Sequence, residues 1–286
     1  MRLHPWLAAI AAAAAAVFAA APAAATDEAA VERGEYLIHA GGCITCHTKD
    51  EDDAVPLAGG RALETPFGTF YSPNITPDEE TGIGTWSDDE FVMAFWDGVG
   101  PDGEDYFPAF PFTSYTGVSR EDLLAMKAYL FSLEPVDAPQ IEHELSLLVS
   151  SRAAAGIWKS RYFEPGRFEA DPARSEEWNR GAYIVRHLGH CGECHTPRAR
   201  FGDLLEDQAL SGNPEGPGDE KVPSIRNTED GIGDWSVSDI EYFLDIGMLP
   251  DGDFTGGSMA PVIDDNTSHL TGADRRAIAT YLKSLN

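Results

Sequence analysis

Two pentapeptides of this chain each place two thiols and an imidazole within about one helical turn, at residues 43–47 and 191–195. Both have the pattern Cys-x-x-Cys-His, which is typical of covalent haem attachment. In that chemistry the two thiols add to the haem vinyl groups and the adjacent histidine binds the iron. All four cysteines of the chain lie in these two motifs. We therefore predict two covalently bound c-type haems, held by Cys43, Cys46, His47, Cys191, Cys194 and His195.

The same cysteines have three other interpretations: a thioredoxin-like redox pair, a four-cysteine zinc site or a structural disulfide. A thioredoxin-like motif is expected once, near a βαβ pattern, and the sequence has two motifs and no such pattern. Neither zinc nor a disulfide explains why a histidine follows each pair at the same position. Haem attachment accounts for all six side chains.

The N-terminus has the features of a secretory signal peptide. Arg2 precedes a run of mostly alanine residues, which ends in an Ala-x-Ala-like site before Thr26. We predict a signal peptide at residues 1–25; the alternative is a membrane anchor, although the run is just short of a full bilayer span. Because haem is attached to such motifs outside the cytoplasm, the signal indicates a periplasmic protein. No later stretch is apolar enough to span a membrane, so we expect the mature protein to be soluble.

The chain is strongly acidic, with a formal net charge of -28 at pH 7. Cleavage of the signal peptide removes Arg2 and gives -28 - 1 = -29. Such a field repels nucleic acid and anionic lipid surfaces, so we expect neither as a partner. The acidity favours a redox partner with a basic docking patch, a salt-rich habitat, or both.

The two halves of the chain form an internal repeat. The two motifs are 148 residues apart, and a second shared pattern, Gly-Ile-Gly-x-Trp-Ser, recurs at residues 82–87 and 231–236. This spacing indicates duplication of a domain of about 100 residues, rather than a short-period repeat. We predict one domain at residues 26–134, a connecting strap at 135–172 and a second domain at 173–286.

Each half has the pattern of helices separated by long loops, so the fold is predicted to be mainly α. We expect helices from Glu28 to Ala40 and from Ser175 to Leu188, leading into the two motifs, and short helices after each shared tryptophan. Four predicted helix starts have an acid three residues after the capping side chain: Ser87, Ser119, Ser236 and Thr271. The strap carries apolar residues around Trp158, which predict a helix that packs across both domains and fixes the distance between the haems.

The second iron ligand is predicted to differ between the halves. Met259 lies in a loop bounded by glycine and proline, and we expect it to ligate the second haem, since methionine and histidine together ligate the haem of cytochromes c. Met259 follows the shared tryptophan by 24 residues, and the same count in the first half reaches Phe110, which cannot bind iron. We therefore expect the first haem to be five-coordinate or unusually ligated, or covered by Phe110 with a lowered potential. Other candidate ligands are Met248 in the second half, and Met93, Met126, His39 and His143 for the first haem.

The chain resembles the dihaem and trihaem class I cytochromes c that serve periplasmic quinoprotein and flavoprotein dehydrogenases, such as the cytochrome subunits of alcohol and gluconate dehydrogenases. The segments that carry the resemblance are residues 34–37, 43–47, 72–76, 82–86, 106–109 and 191–198. The resemblance implies two tandem class I cytochrome c domains with long haem-wrapping loops. It also implies haem propionates near Asn74, Trp86, Trp235 and Arg198.

The chain departs from those subunits in two respects. They usually have methionine where Phe110 stands, and they often have a third haem domain and a terminal membrane helix, neither of which we expect here. A direct copy of their quinone-reducing role is therefore not expected.

We predict an electron carrier that passes electrons from a dehydrogenase to a downstream cytochrome or terminal oxidase. The alternatives are a haem enzyme, peroxidase-like or thiosulfate-oxidising, and a gas-binding sensor that uses an open first haem. An electron-transfer protein or subunit is favoured over an independent enzyme, because the sequence has no spare cysteine and no clear acid–base group for the first haem.

Overall fold

The computed structural model of the protein describes residues 28–147 and 149–286. The predicted signal peptide lies outside these residues. The described part is mainly helical, which confirms the predicted class. Within it, no helix has the length and apolar content that crossing a membrane requires.

The first half contains five α-helices in its described residues. They are α1 (Glu28–Ala40), α2 (Cys43–His47), α3 (Asp88–Asp97), α4 (Phe112–Tyr115) and α5 (Arg120–Leu130). The strap contributes α6 (Arg152–Tyr162). The second half has α7 (Glu176–Tyr183), α8 (Gly192–His195), α9 (Val237–Ile246), α10 (Met259–Asp265) and α11 (Gly272–Leu282).

A small antiparallel sheet joins the strap to the first half. Its strands are β1 (Ala62–Thr65), β2 (Gly68–Tyr71) and β3 (Glu144–Leu145), in the order β1-β2-β3. Leu63 pairs with Phe70 in the first ladder, and Thr69 pairs with Glu144 in the second. Because β3 belongs to the strap, the pairing holds the start of the strap against the first half.

Each half is built on a close crossing of its first and last helices. A Cβ atom on Gly34 of α1 would lie 2.0 Å from the carbonyl oxygen of Ala125 in α5. A Cβ atom on Gly181 of α7 would lie 1.9 Å from the carbonyl oxygen of Ala277 in α11. No other residue type fits at these crossings, so the two glycines that the repeat shares are explained by backbone approach.

The predicted helix starts are confirmed, with one difference. Ser87 and Ser236 form complete capping boxes with the acids three residues later. Ser119 and Thr271 also cap their helices, but the acids that follow them, Asp122 and Asp274, direct their carboxylates elsewhere. The structure uses these two carboxylates for contacts between helices, described below.

The helix predicted to end at Leu188 is regular only as far as Tyr183. Ile184–Leu188 forms a π-helical turn, in which the amide of Gly189 donates to the Ile184 carbonyl at 2.7 Å. The chain then reaches the second motif through His190, at a positive φ of 37°. The corresponding residue before the first motif is Gly42, with φ of 68°, so both motifs are entered through a left-handed residue.

The strap contains the predicted helix, and it contacts both halves. The Trp158 indole of α6 donates to the Phe201 carbonyl in the second half at 2.8 Å. Its ring also lies edge-on to Phe112 of the first half, with ring centroids 6.5 Å apart. Further along, the Arg167 guanidinium stacks 3.7 Å from the ring centroid of Trp96. The strap is therefore a packed element and not a free linker.

Candidate functional site

The two cysteine pairs lie on short helical turns, α2 and α8, and all four thiols are free. Burial raises the pKa of Cys43 and of Cys191 to about 12. This is opposite to the lowered pKa of a reactive thioredoxin-like pair. Among the described residues, no group of three or more histidine, cysteine, aspartate or glutamate side chains could hold a metal ion.

Both histidines of the motifs are oriented by the same contact. The Nδ1 atom of His47 donates to the Pro73 carbonyl at 2.8 Å, and that of His195 donates to the Pro223 carbonyl at 2.8 Å. Burial lowers the pKa of both rings, although these hydrogen bonds act in the other direction. Each ring is thus held as a neutral imidazole with Nε2 available, the arrangement of a metal-ligating histidine.

The loop after each motif repeats its backbone contacts. The amide of Gly59 donates to the His47 carbonyl at 2.7 Å, and the amide of Gly212 donates to the His195 carbonyl at 2.8 Å. In the same loops the buried residues Leu57 and Leu210 have positive φ angles of 64° and 63°. A leucine rarely adopts this conformation, so a conformation repeated in both halves indicates a constraint of the site.

The predicted propionate contacts fall into two groups. Trp86 and Trp235 are half-buried, and neither indole N–H has a hydrogen-bond partner within the described residues. By contrast, the side chain of Asn74 is buried and fully engaged: Oδ1 accepts from Thr76, and Nδ2 donates to the Val136 carbonyl at 2.7 Å. Free indole donors are what a propionate requires, whereas Asn74 braces its own loop.

Arg198 lies beside the second motif. Its guanidinium donates to the Glu193 carboxylate at 2.6 Å and to the Gly202 carbonyl at 2.7 Å. It is solvent-accessible, and a propionate contact for this residue stays a prediction.

Met259 and Phe110 occupy comparable positions in the two halves. Met259 is half-buried and begins α10, whereas the sequence predicted a loop at this point. The preceding turn is fixed by Glu220, which accepts a hydrogen bond from the Ser258 amide at 3.0 Å. Phe110 lies two residues before α4, so each residue comes at the start of a short helix. Ligation by Met259 stays a prediction.

Aromatic rings surround Phe110. Its ring centroid lies 5.2 Å from that of Phe95, 5.5 Å from that of Tyr115 and 5.9 Å from that of Tyr106. The pKa of Tyr106 is raised to about 12 by burial, which keeps its hydroxyl neutral. The position that carries methionine in the second half therefore belongs to a neutral aromatic cluster in the first half.

The other candidate ligands have structural partners. Met126 of α5 is fully buried in the hydrophobic core. His143 accepts a hydrogen bond from the Tyr71 amide at 3.1 Å and packs edge-on against Phe70. His39 stacks on His269 in the second half, with ring centroids 3.7 Å apart. Met93 lies half-buried on α3, and Met248 forms an isolated bridge with Phe254.

Each motif also contacts the opposite half: the first motif contacts the end of α10, and the second contacts α4. In the first motif, Thr45 donates to Asn266, just after α10, at 3.0 Å. The equivalent residue of the second motif is Glu193, which accepts from Thr113 at 3.0 Å and from Ser114 of α4 at 2.8 Å. Each histidine-bearing turn is therefore tied to the opposite half.

The histidines upstream of the motifs also form hydrogen bonds to the opposite half. His39 donates from Nδ1 to the Asp265 carbonyl at 2.6 Å, and His187 donates from Nδ1 to the Ser114 carbonyl at 3.0 Å. The two histidines are 148 residues apart, the same spacing as the motifs.

A third pair of contacts between the halves explains where the carboxylates three residues after Ser119 and Thr271 are directed. The Tyr36 hydroxyl of α1 donates to Asp274 of α11 at 2.5 Å, and the Tyr183 hydroxyl of α7 donates to Asp122 of α5 at 2.6 Å. An arginine of its own half binds each carboxylate: Arg180 contacts Asp274 at 2.7 Å, and Arg33 contacts Asp122. These contacts lock the helix crossing of each half to the other.

Sequence reasoning missed several of these residues. The carbonyls of Pro73 and Pro223 orient the histidines, and the repeat contained a signal for them, because a Pro-x-Ile pattern follows each motif at nearly the same distance. The carboxylates of Asp122 and Asp274 were assigned to helix caps alone. Nothing in the local sequence indicates their partners, which come from distant helices.

The residues present fit two covalently held haems. Each turn combines two free thiols with an oriented imidazole, and each half has an indole donor with no hydrogen-bond partner among the described residues. A mainly helical chain with two such turns has the design of a c-type cytochrome.

Comparison with known proteins agrees with this class. The chain is 42% identical over 262 residues to a protein named dihaem cytochrome c-type of Cereibacter sphaeroides, covering 90% of this chain and 86% of that protein. The chain therefore belongs to the dihaem c-type cytochromes. No family model matches it.

The chain is also similar to cytochrome subunits of dehydrogenases. It is 40% identical over 271 residues to the gluconate 2-dehydrogenase cytochrome c subunit of Pantoea cypripedii, covering 91% of this chain and 60% of that subunit. It is 38% identical over 259 residues to the fructose dehydrogenase cytochrome subunit of Gluconobacter japonicus, covering 90% of this chain and 52% of that subunit. The chain thus spans little more than half the length of these relatives.

Proposed function

We propose that the protein is a periplasmic dihaem cytochrome c that carries electrons from a dehydrogenase to a downstream cytochrome or terminal oxidase. The names of its relatives support a dehydrogenase as donor. The observation that carries the proposal is the repeated orientation of His47 and His195 by proline carbonyls at the same distance of 2.8 Å. Two equivalently prepared imidazoles within one interlocked body suit a carrier with two redox centres.

We assign the two haems to tandem domains at residues 26–134 and 173–286, separated by the strap at 135–172. The reciprocal contacts of Thr45 and Glu193 support this layout, since each links a motif to the opposite half. The packed strap contributes to the same rigidity through Trp158. A fixed separation of the centres is what transfer between them requires.

A bound haem supplies the one-electron chemistry. The protein residues would hold and orient it: the cysteine pairs would attach it, and His47 and His195 would offer Nε2 to the iron. Trp86 and Trp235 are proposed to donate to propionates, and Arg198 and Asn74 to lie close by. Met259 is proposed as the second ligand of haem 2, whereas Phe110 offers no ligand at the corresponding place in the first half.

A spectroelectrochemical titration tests this proposal. We expect two reversible one-electron steps at different potentials, with a methionine–iron absorbance band in only one oxidised haem. Two equal potentials with two such bands would contradict the assigned difference between Phe110 and Met259. Haems that do not cycle reversibly would contradict the carrier function.

The aromatic cluster around Phe110 favours a second candidate, the binding of a small gas at haem 1. None of the three rings in contact with Phe110 carries a group that is anionic at neutral pH, and the position is apolar. Carbon monoxide added to the reduced protein should then bind one haem per chain. Absence of binding would exclude this candidate and leave the carrier function unaffected.

A further inference from the structure

One face of the first half is covered by the strap, whereas its counterpart in the second half has no such cover among the described residues. In the first half, residues 99–105 form a tight turn after α3, closed by a bridge between Val99 and Asp105. The second half repeats this turn after α9, closed by a bridge between Met248 and Phe254. The two turns therefore allow a residue-by-residue comparison of their outer surfaces.

The strap binds the first turn through charges. Lys159 of α6 forms an ion pair with Asp105 and donates to the Asp97 carbonyl at 2.8 Å. Arg152, at the start of α6, lies 3.5 Å from the carboxylate of Glu104. Glu104 and Asp105, two of the three acidic side chains of this turn, thus have basic partners within the same chain.

The second turn carries apolar side chains at the corresponding places. Phe254 stands where the first half has Asp105, and Ile246 stands where it has Asp97. Phe254 is 60% exposed, Ile246 is 49% exposed, and Tyr242, one helical turn before Ile246 on α9, is 56% exposed. We call these three side chains the α9 face.

The border of the α9 face is acidic. Asp251 and Asp253 lie in the same turn and are exposed. Their carboxylates accept hydrogen bonds only from backbone amides of that turn, and neither forms an ion pair within the described residues. An apolar centre with an unneutralised acidic border is complementary to an apolar protein surface with a basic border. The acidic border also disfavours an anionic lipid surface.

The α9 face adjoins the segment that carries Met259. A Cβ atom on Gly247 would lie 3.2 Å from Thr255 and 3.8 Å from Ile263 of α10, so the turn packs directly against that helix. Phe254 precedes Met259 by only five residues. A protein seated on this face would therefore lie beside the second-half site.

We propose that the α9 face is the docking surface for a redox partner protein whose contact surface has an apolar centre and a lysine- or arginine-rich border. This inference rests on the proposed carrier function and specifies where its partner binds. The first half cannot use the equivalent surface, because α6 occupies it.

The test uses the full haem-loaded protein on gold electrodes coated with mixed methyl- and ammonium-terminated thiols, which imitate such a partner. The variant Ile246→Ser/Phe254→Ser should slow interfacial electron transfer about tenfold or more, as for the loss of central apolar contacts in an interface. Asp251→Asn/Asp253→Asn should reduce the rate by a smaller factor and weaken its dependence on salt. The control variant Ile157→Ser/Phe201→Ser removes side chains that are 72% and 58% exposed elsewhere, and should leave the rate unchanged.

Three results would overturn the inference: an equal loss of rate in the control variant, no loss in the Ile246→Ser/Phe254→Ser variant, or no exchange by the wild type on this coating. Sedimentation gives a further check. A wild-type dimer that this variant converts to a monomer would assign the face to a second copy of the chain. Reduction of both haems by a soluble mediator, measured on the same samples, tests the carrier function separately from the docking surface.

Discussion

The two halves of the molecule orient the histidines of their motifs in the same way, but they differ at the position of Phe110 and Met259. His47 and His195 each donate to a proline carbonyl at 2.8 Å, and the loops behind them repeat even the strained leucines. At the position where the second half has Met259, the first half has Phe110 in an aromatic cluster. Duplication has preserved the residues that we propose to hold a haem and has varied the residue at the position of Phe110 and Met259.

The two halves also differ in the exposure of the turn that follows α3 or α9. The strap covers the turn after α3 with basic side chains, whereas the corresponding turn after α9 exposes Ile246 and Phe254. The half with the candidate ligand Met259 is thus also the half with an open apolar face. The two halves therefore differ both in a candidate iron ligand and in their exposed surface, and the experiments below test these differences.

The largest effect is expected from removing one cysteine pair. Cys43→Ala/Cys46→Ala and Cys191→Ala/Cys194→Ala should each reduce covalent haem from two per chain to one, because a haem lacking both thioether bonds is lost on denaturation. Intact mass spectrometry measures this directly. Loss of both haems in either variant would show that the halves do not bind haem independently.

Exchanging the residue types at Phe110 and Met259 should transfer the expected spectrum and reduction potential of one haem to the other. Met259→Phe should abolish the methionine–iron absorbance band and lower the potential of haem 2, since methionine ligation raises it. Phe110→Met should create a second such band. Absorbance spectra during redox titration measure both changes. A band that persists in Met259→Phe would identify another ligand, and Met248→Leu is the matched control.

The two tyrosine–aspartate–arginine contacts should contribute unequally to stability. The carboxylate side chain of Asp122 is 5% exposed and that of Asp274 is 13% exposed. Removing Asp122 leaves the buried Tyr183 and an arginine without their partner, and removing Asp274 leaves the half-buried Tyr36 and an arginine without theirs. We expect Asp122→Ala to lower the free energy of unfolding by about 3 kcal/mol, and Asp274→Ala by about 2 kcal/mol. Urea denaturation measures both, with the exposed Asp89→Ala as a control that should change little.

The smallest effect is a dependence of stability on pH at Asp274. Burial opposes its ionisation, but hydrogen bonds from Arg180 and Tyr36 outweigh burial and lower its pKa. A lowered folded-state pKa stabilises the protein above the ordinary aspartate pKa of about 4, and this contribution is lost as pH falls through the lowered value. The stability difference between wild type and Asp274→Asn should therefore shrink from about pH 6 to about pH 3. A difference that is constant with pH would contradict this.

Much of the fold was predictable because the repeat supplies each signal twice. Helix starts at Ser87 and Ser236 follow from local capping chemistry, and the cysteine motifs identify themselves by spacing. The end of the helix at Tyr183 was not predictable, because the π-helical turn that follows is set by the entry to the second motif. The helix start at Met259 was not predictable either, because the proline two residues later indicated a loop.

The sequence by itself predicted the haem-binding chemistry, because two thiols and an imidazole must lie within one turn to reach one macrocycle. It also determined the mismatch between Phe110 and Met259, which only needs the repeat to be counted. Tertiary structure alone decided how the halves meet: Tyr36 binds Asp274 and Tyr183 binds Asp122 across distances in sequence that no local pattern encodes. It also decided that one turn is covered and its copy exposed, since the strap can pack on only one of them.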